Sequence, residues 1–254
     1  MTQHLTLITG ASRGMGLAMA EQLIAAGHAL LCISRKPNDT LTALAKARGV
    51  TCEQWPQDLS RAESAAAKLE TWLALQDGAA LASVTLINNA GLMAPVAPLA
   101  EIAGRDLADA LRVDLEAPML LTAAFLRATA SWKAQRRVLN ISSGLGRRPM
   151  ASQAAYCAAK AGMDHFTRCV ALEEAARPNG AKLCSLAPGV IDTDMQVQLR
   201  GADAAQFPDR ANFIGLKEKG ALDSPQQAAA KVLGFLARDD FGANPVADVR
   251  DPLK

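Results

Sequence analysis

The stretch Leu5–Gly16, LTLITGASRGMG, decides the fold. Its first five residues have strand-forming character and run into a turn with glycines at positions 10, 14 and 16, after which a helical pattern continues to Ala26. Glycine permits a tight turn and lets backbone amides approach a phosphate, and a helix N-terminus adds donors and positive dipole. A strand, a glycine turn and a helix in this order predict a nucleotide-binding unit. The spacing, G-x3-G-x-G, differs from the standard G-x-G-x-x-G fingerprint.

Outward from this unit, strand-length apolar runs alternate with helix-length amphipathic stretches. Strands are predicted at residues 5–9, 29–34, 50–54, 84–87, 137–141, 182–186 and 246–249, and helices at 14–26, 37–47, 61–75, 102–129 (bent near Pro118), 154–176 and 224–237. Near-continuous apolar strands separated by helices predict an α/β fold with a doubly wound parallel sheet covered on both faces. No linker or repeat interrupts the pattern, so we expect a single domain over residues 1–254. The weakly periodic segment at about 195–223 is predicted to be a substrate lid.

Composition excludes several classes of protein. The 254 residues carry 27 basic and 25 acidic side chains, for a net charge of +2, and aromatic residues make up 4%. Neither value is typical of a nucleic-acid-binding surface, and no run approaches the ~20 apolar residues of a membrane span. The first residues lack the basic and apolar regions of a secretion signal, and the five cysteines are widely spaced, so we expect free thiols and a cytoplasmic location. The three histidines are isolated, so we expect no metal site.

The end of the second strand bears on the choice of nucleotide. NAD-binding sheets place a carboxylate there for the ribose 2′-hydroxyl, whereas residues 31–36 read LCISRK and hold no acid. Arg35 and Lys36 follow the strand, and Arg13 lies inside the glycine turn. An arginine guanidinium suits a 2′-phosphate because its planar fork gives paired, charge-assisted hydrogen bonds. The sequence therefore favours NADPH; the alternative is that Arg35 and Lys36 only end a strand in solvent.

A serine, a tyrosine and a lysine carry the candidate chemistry. Tyr156, the single tyrosine of the chain, lies four residues before Lys160 on a predicted helix, so the two share a face. A lysine ammonium beside a phenol favours the phenolate and lowers its pKa from ~10, which suits proton transfer to or from a substrate oxygen. Ser142 and Ser143 end the fifth strand, at the sheet edge where α/β proteins bind ligands. Taken by itself, a Tyr-x3-Lys pair is also compatible with an ordinary helix surface.

These residues resemble the short-chain dehydrogenase/reductase family nearly from end to end. The matching motifs are the glycine turn Thr9–Gly16, the segment Asn88–Gly91 (NNAG), a serine 13 residues before the tyrosine, the Tyr-x3-Lys pair, and Pro188-Gly189 followed by Thr193. The serine spacing selects Ser143 over Ser142. The resemblance implies a seven-stranded Rossmann sheet in the order 3-2-1-4-5-6-7.

The resemblance also implies a mechanism and a set of site residues. A hydride passes from the nicotinamide to a carbonyl carbon, Tyr156 protonates the oxygen, Ser143 orients it, and Lys160 lowers the tyrosine pKa and binds the nicotinamide ribose. The cofactor-binding residues that it implies are Gly10, Ser12, Arg13, Gly14, Met15, Gly16, Arg35, Lys36, Asp58, Leu59, Asn88, Ala90, Gly91, Tyr156, Lys160, Pro188, Gly189, Val190 and Thr193. Among them, Asp58 and Leu59 are expected to flank the adenine.

One position departs from the family pattern. The family usually has an asparagine in the middle of the long helix, where it completes a proton relay to the lysine, and here the matching residue is Asp114. Its backbone carbonyl still suits the relay, but its side chain lacks the amide donors and is able to carry a charge. Asp114 is therefore a candidate catalytic residue, with two open outcomes: a tolerated substitution, or an altered pH profile.

Four sequence segments further resemble the sepiapterin reductase and bacterial benzil reductase group: Asn140–Ser143, Tyr156–Gly162, Ala187–Met195 and Glu116–Thr122. The substrate-binding candidates are Leu145, Met150 and Met195, with Phe207 and Phe213 from the lid. Apolar residues of this kind suit an aromatic or bulky ketone or diketone. A pterin would require a polar anchor that the sequence does not place, so benzil-type reduction is favoured.

Other functions stay open. A 3-oxoacyl-carrier-protein reductase is the main alternative and requires a basic patch at the site entrance, to which Arg147 and Arg148 are the candidates. A non-catalytic cofactor-sensing protein is a more distant alternative, disfavoured by the complete serine, tyrosine and lysine set. The expected partners are a small carbonyl compound and further copies of the chain, as a homodimer or homotetramer, with neither nucleic acid nor membrane.

Overall fold

In the computed structural model, which describes residues 3–253, seven strands form one sheet. The strands are β1 Gln3–Thr9, β2 Ala29–Ser34, β3 Cys52–Pro56, β4 Leu81–Asn88, β5 Gln135–Ile141, β6 Lys182–Ala187 and β7 Val246–Asp248. The α-helices are α1 Gly14–Ala25, α2 Asp39–Arg48, α3 Ala62–Ala74, α4 Gly104–Leu111, α5 Ala117–Ala128, α6 Ala154–Ala175, α7 Asp194–Gly201, α8 Arg210–Glu218 and α9 Pro225–Leu236. Of the predicted domain, residues 1, 2 and 254 lie outside the described ones.

All neighbouring strands are parallel, in the order β3-β2-β1-β4-β5-β6-β7. This confirms both the doubly wound class and the strand order that the resemblance implies. The two border strands are short: β3 ends at Pro56, and β7 has only three residues.

The sheet is covered on both faces because successive side chains of its strands point to opposite sides. In β1, Leu7 belongs to the apolar cluster shared with α3 and α5, while Ile8 belongs to the cluster shared with α1 and α9; neither side chain is exposed. The strands are therefore buried on two sides, which explains their near-continuous apolar sequence.

The third strand begins two residues later than predicted. Gly49 ends α2 with a φ of 66°, and the amide of Val50 donates to the carbonyl of Ala45 at 3.1 Å. Val50 thus closes the helix instead of opening the strand, which pairs with β2 from Cys52 onward. The apolar character of Val50 alone does not distinguish the two roles.

The predicted long helix over 102–129 is interrupted by a π turn at Arg112–Glu116. Proline lacks an N–H and its ring crowds the carbonyl four residues earlier, which for Pro118 is the carbonyl of Asp114. The helix therefore widens one turn before Pro118, and Pro118 occupies the first turn of α5. The interruption thus lies one turn before Pro118, the position near which a bend is predicted.

The segment predicted to be a lid holds two helices, α7 and α8. Phe207, between them, is fully buried and stacks on Phe213 of α8 with ring centroids 5.6 Å apart. Lys217 of α8 forms an ion pair with Asp192 at 2.5 Å. Ser224 caps α9 in a capping box with Gln227. No helix among the described residues is long and apolar enough to cross a membrane.

Candidate active site

A cleft of about 1460 Å³ opens at the sheet edge where the carboxyl ends of β1, β2, β4, β5 and β6 lie. The predicted site residues that line it are Gly10, Ser12, Arg13, Gly14, Met15, Gly16, Arg35, Asp58, Leu59, Ala90, Gly91, Ser143, Leu145, Tyr156, Lys160, Pro188, Gly189, Val190, Thr193, Met195 and Phe213. Five predicted site residues, Lys36, Asn88, Asp114, Met150 and Phe207, do not line it.

The glycine turn is closely packed against the strand β4. Gly10 has a φ of 72°, and a Cβ on Gly16 would lie 2.2 Å from the carbonyl oxygen of Gly10 and 2.4 Å from Asn89 Nδ2. The Asn89 amide donates to the carbonyl of Thr9 at 2.9 Å, so it fixes the turn from the opposite side. Only glycine satisfies both the left-handed backbone and the close approach.

The N-terminus of α1 fits a pyrophosphate. Its N-cap, Arg13, makes no side-chain capping bond, and its first turn holds no acidic residue. The first residues of the helix, Gly14, Met15 and Gly16, line the cleft. The backbone amides of a first helical turn have no partner within the helix and lie at the positive end of its dipole, which is the arrangement that binds phosphate groups. The residues present therefore fit the pyrophosphate of a dinucleotide.

The far end of the cleft fits an adenosine. The hydroxyl of Ser34, at the end of β2, is buried and has no hydrogen-bond partner among residues 3–253. Arg35 lines the cleft beside it. Asp58 accepts the amide of Ser60 at 3.0 Å, and this backbone bond, helped by Arg35 and Arg61, holds the pKa of its carboxyl below the ordinary value. An unpartnered hydroxyl beside an arginine suits a ribose phosphate.

Ser143, Tyr156 and Lys160 meet at the middle of the cleft. Lys160, buried on α6, donates from Nζ to the carbonyl of Ile141 at 3.0 Å, and the same nitrogen lies 5.5 Å from the centre of the Tyr156 ring. Ser143 lies two residues after the end of β5 and caps the short turn that follows, accepting the amide of Leu145 at 3.2 Å. The half-buried phenol, its ammonium neighbour and a hydroxyl thus face one space.

The balance of effects on the Tyr156 phenol differs from the expectation. Burial raises its pKa most strongly; Lys160 and a hydrogen bond from Ser143 lower it, while Asp114 and Cys157 raise it. The net direction is upward. The effect of Lys160 has the expected sign, but desolvation and the nearby carboxyl outweigh it.

Asp114 lies behind the cleft in the π turn and is fully buried. Its Oδ1 accepts the amide of Leu92 at 2.6 Å, and its Oδ2 is buried with no hydrogen-bond partner in the described part of the chain. Burial raises the pKa of this carboxyl, although Lys160 and the Leu92 amide act in the opposite direction.

A buried network supports the serine loop and was missed from the sequence. Asp164 of α6 accepts the hydroxyls of Ser142 and Ser185 at 2.6 Å each, and Arg147 Nε donates to it at 3.2 Å. The only sequence signal is an acid four residues after Lys160, on the buried face of the helix. Arg147 is thereby tied to the buried Asp164, although the residue itself is exposed. Of the two arginines considered for a basic entrance, only Arg148 lines the cleft.

The end of the cleft predicted to bind the substrate is mainly apolar. Leu92, Met93, Leu145, Val190, Met195, Leu199 and Phe213 line it, together with two buried amides that sequence reasoning missed, Gln153 and Gln196. Met150 and Phe207 lie beneath, in a cluster with Leu199 and Phe213. Asn88 is likewise internal and donates to Asn140 Oδ1 at 2.8 Å.

Comparisons with known proteins agree with this geometry. A family model described as short chain dehydrogenase matches residues 4–204. A benzil reductase ((S)-benzoin forming) of Bacillus cereus is 37% identical over 92% of this chain and 94% of its own length. A sepiapterin reductase of Xenopus tropicalis is 32% identical over 97% and 96%.

Two further relatives extend the comparison. A 3-oxoacyl-(acyl-carrier-protein) reductase of Pseudomonas aeruginosa is 34% identical over 92% of this chain and 89% of its own. The crystal structure of a short-chain dehydrogenase/reductase from Burkholderia vietnamiensis is 32% identical, covers 99% of both chains and superposes with a TM-score of 0.66.

Proposed function

Because the chain belongs to the short-chain dehydrogenase family, we propose that it is an NADPH-dependent carbonyl reductase acting on an aromatic or bulky ketone or diketone. The observation that carries the proposal is the meeting of Ser143, Tyr156 and Lys160 at a cleft with an apolar substrate end. Such an end excludes water and binds rings by burial of apolar surface. Similarity to the benzil reductase supports a diketone such as benzil.

Different residues along the cleft would bind the cofactor and carry out the proton transfer. The glycine turn and the N-terminus of α1 would hold the pyrophosphate, with Asp58 and Leu59 near the adenine and Thr193 near the carboxamide. When bound, a reduced nicotinamide supplies the hydride that adds to the carbonyl carbon. Tyr156 donates its proton to the carbonyl oxygen as the charge develops there. The hydroxyl of Ser143 donates a hydrogen bond to the same oxygen and fixes its position.

Turnover of a carbonyl panel tests the reaction. We expect the protein to oxidise NADPH with benzil and related aryl diketones, and Tyr156→Phe to lose ~10²–10⁴-fold in kcat because it keeps the ring but lacks the acidic proton. Undiminished turnover by the phenylalanine variant would refute the mechanism.

The same panel separates the alternatives. Faster turnover of acetoacetyl thioesters than of diketones would favour a 3-oxoacyl-carrier-protein reductase, for which Arg148 at the cleft and the Pseudomonas relative are the supporting observations. Binding of NADPH without turnover of any carbonyl would favour a non-catalytic cofactor-sensing protein.

Arg35 and Arg13 support the preference for NADPH over NADH. Both line the cleft and no acid ends β2. Removing a charge-assisted hydrogen bond costs about 1.5–3 kcal/mol. We therefore expect Arg35→Ala to lower kcat/KM for NADPH about tenfold or more, while kcat/KM for NADH changes little. Arg48→Ala, at the exposed end of α2, is the matched control. A wild-type enzyme as efficient with NADH as with NADPH would contradict this preference.

Location and assembly complete the proposal: a cytoplasmic homodimer or homotetramer built on a single domain with a lid at about 195–223. All five cysteines are free, which supports a reducing compartment. Met119 of α5 and Leu172 of α6 are exposed apolar side chains, at 41% and 76%, and support packing of these helices against another copy. Sedimentation of the purified protein measures the assembly.

A further inference from the structure

One carboxyl holds both ends of the serine loop, the segment 143–146 that begins with Ser143. Just before the loop, the Ser142 hydroxyl donates to Asp164 Oδ1 at 2.6 Å. Just after it, Arg147 Nε donates to Asp164 Oδ2 at 3.2 Å. Asp164 is itself buried on α6. The two ends of the loop are therefore bound to the same side chain of one helix.

The serine loop also packs closely on the backbone of that helix. A Cβ on Gly146 would lie 2.9 Å from the carbonyl oxygen of Lys160 and 3.2 Å from Asp164 Oδ2. Tyr156 and Lys160 lie on the same helix. The loop that carries Ser143 is thus fixed to the element that carries the other two residues of the proposed chemistry.

The donors around Asp164 require a carboxylate. Ser185 of β6 donates a second hydroxyl to Oδ1, also at 2.6 Å, so three side chains in the described part of the chain donate to this group. Arg147 is held in turn, since its Nη2 donates to the carbonyl of Ala247 in β7 at 2.8 Å. A carboxylate only accepts hydrogen bonds, whereas an asparagine would place an NH2 against either the arginine or the two hydroxyls.

We propose that Asp164 is a positioning residue for carbonyl reduction: by holding both ends of the serine loop, it sets where the Ser143 hydroxyl lies relative to Tyr156. The inference rests on the proposed function. A donor that is already fixed in place stabilises the charge developing on a carbonyl oxygen without reorganisation during the reaction. A loosened loop would leave the hydroxyl present but displaced, and a displacement of ~1 Å costs up to ~10²-fold in rate.

Two buried serines supply a matched pair of variants. Ser142→Ala and Ser185→Ala each remove a hydroxyl that donates to Asp164 Oδ1 at 2.6 Å, so we expect similar losses of stability. Only Ser142 adjoins the serine loop. We expect Ser142→Ala to lower kcat for diketone reduction ~10-fold or more, with KM for NADPH unchanged, and Ser185→Ala to leave kcat unchanged. Equal effects of the two variants on kcat would overturn the inference.

A double-mutant cycle separates positioning from general destabilisation. Asp164→Asn is expected to lower kcat ~10–10²-fold in the wild-type background. In the Ser143→Ala background it should lower kcat further by about twofold or less, because the hydroxyl that it positions is then absent. Equal losses in both backgrounds would mean that Asp164 supports only the fold. If Asp164→Asn fails to fold, the same cycle is measured with Ser142→Ala.

Amide hydrogen exchange reports on the serine loop without cofactor or substrate. Within the loop, the Leu145 amide donates to Ser143 Oγ at 3.2 Å and the Gly146 amide to the Ser143 carbonyl at 3.0 Å. In the cofactor-free protein we expect these amides to exchange roughly tenfold faster in Ser142→Ala, since a hydrogen bond to a charged group is lost. In Ser185→Ala they should exchange at the wild-type rate.

The two measurements separate this inference from the proposed function. An unchanged kcat in Ser142→Ala and Asp164→Asn, in a protein that does reduce diketones, overturns the positioning role and leaves the reductase standing. Faster exchange of the loop in Ser142→Ala, in a protein that reduces no carbonyl, supports the attachment of the loop to Asp164 and removes the proposed function.

Discussion

Arg13, inside the glycine turn, forms an ion pair with Asp194, the first residue of α7. The pair joins the glycine turn to the start of α7, just before the proposed lid, and both side chains are largely exposed, at 69% and 72%. The guanidinium proposed to meet the 2′-phosphate is therefore held by a carboxylate that competes for it.

Releasing this arginine is expected to strengthen cofactor binding slightly. An exposed ion pair contributes about 0.2–1 kcal/mol, so Asp194→Asn should lower KM for NADPH by up to about fivefold and leave KM for NADH unchanged. Glu218→Gln, an exposed acid at the end of α8, makes the same change of net charge and serves as control. A higher KM for NADPH in Asp194→Asn would instead mean that the pair closes the cleft around the cofactor.

Phe207 is expected to hold the lid in place. It is fully buried beneath the substrate end, and Ser152 Oγ donates to the neighbouring carbonyl of Gln206 at 2.5 Å. Truncating a buried phenylalanine costs about 3–5 kcal/mol. Phe207→Ala should therefore raise KM for the ketone about tenfold or more while NADPH affinity, measured by fluorescence titration, stays unchanged.

The control for the lid is Phe235→Ala. Phe235 is buried on α9, packed in the sheet core away from the substrate end. This variant should lose global stability without a change in KM for the ketone. Equal effects of the two variants on KM would contradict a specific role for Phe207.

Two glycines should respond to alanine in opposite directions. Gly16→Ala places a Cβ 2.2 Å from the carbonyl oxygen of Gly10, so we expect loss of stability and of NADPH binding. Gly234 lies exposed inside α9 with nothing within 4 Å of the added Cβ. Alanine there should stabilise the fold by about 0.5–1 kcal/mol. Urea denaturation measures both; a destabilised Gly234→Ala would show that α9 has an unrecognised partner at this position.

His28 should make stability depend on pH. Burial, with a smaller effect of the stacked His4, lowers the pKa of His28 below its ordinary 6.5. The neutral form is thus preferred in the folded state, so its contribution is complete above pH 6.5 and is lost as the pH falls toward the lower folded value. The free energy of unfolding should decline from pH 7 to 5, by at most about 1.4 kcal/mol per pH unit for one proton.

The test is His28→Gln, which should flatten this decline. His165→Gln, at an exposed position on α6, should not. Identical pH profiles for wild type and His28→Gln would exclude His28 as the cause of the decline. Asp58 and Asp192 do not interfere with this test, because their lowered carboxyl pKa values affect stability only at more acidic pH.

The central strand of the sheet was predictable because it is buried on two faces and so carries no charged side chain between Leu5 and Thr9. Boundaries set by backbone bonding were not predictable: Val50 has the composition of a strand residue but closes α2. Pro118 indicated an irregularity in the long helix, but the widening of the preceding turn, Arg112–Glu116, is a backbone property that composition does not reveal.

The site, like the fold, has features that could be predicted from the sequence and features that could not. Tyr156 and Lys160 could be paired from helical spacing, and the resemblance supplied Ser143. The Asp164 network joins residues from β5, α6 and β6, so no local spacing reveals it. The upward direction of the Tyr156 pKa depends on burial and on Asp114, both of which are tertiary properties.

The shortness of the two border strands has a consequence for behaviour at high concentration. An unprotected border exposes free amides and carbonyls on which a foreign strand extends the ladder into fibrils. β3 terminates in a proline, and the three-residue β7 is followed at once by the Arg250–Asp248 ion pair at 2.7 Å. Neither border strand is long enough to template the pairing of a foreign strand, so concentrated solutions of this enzyme should resist amyloid-type growth.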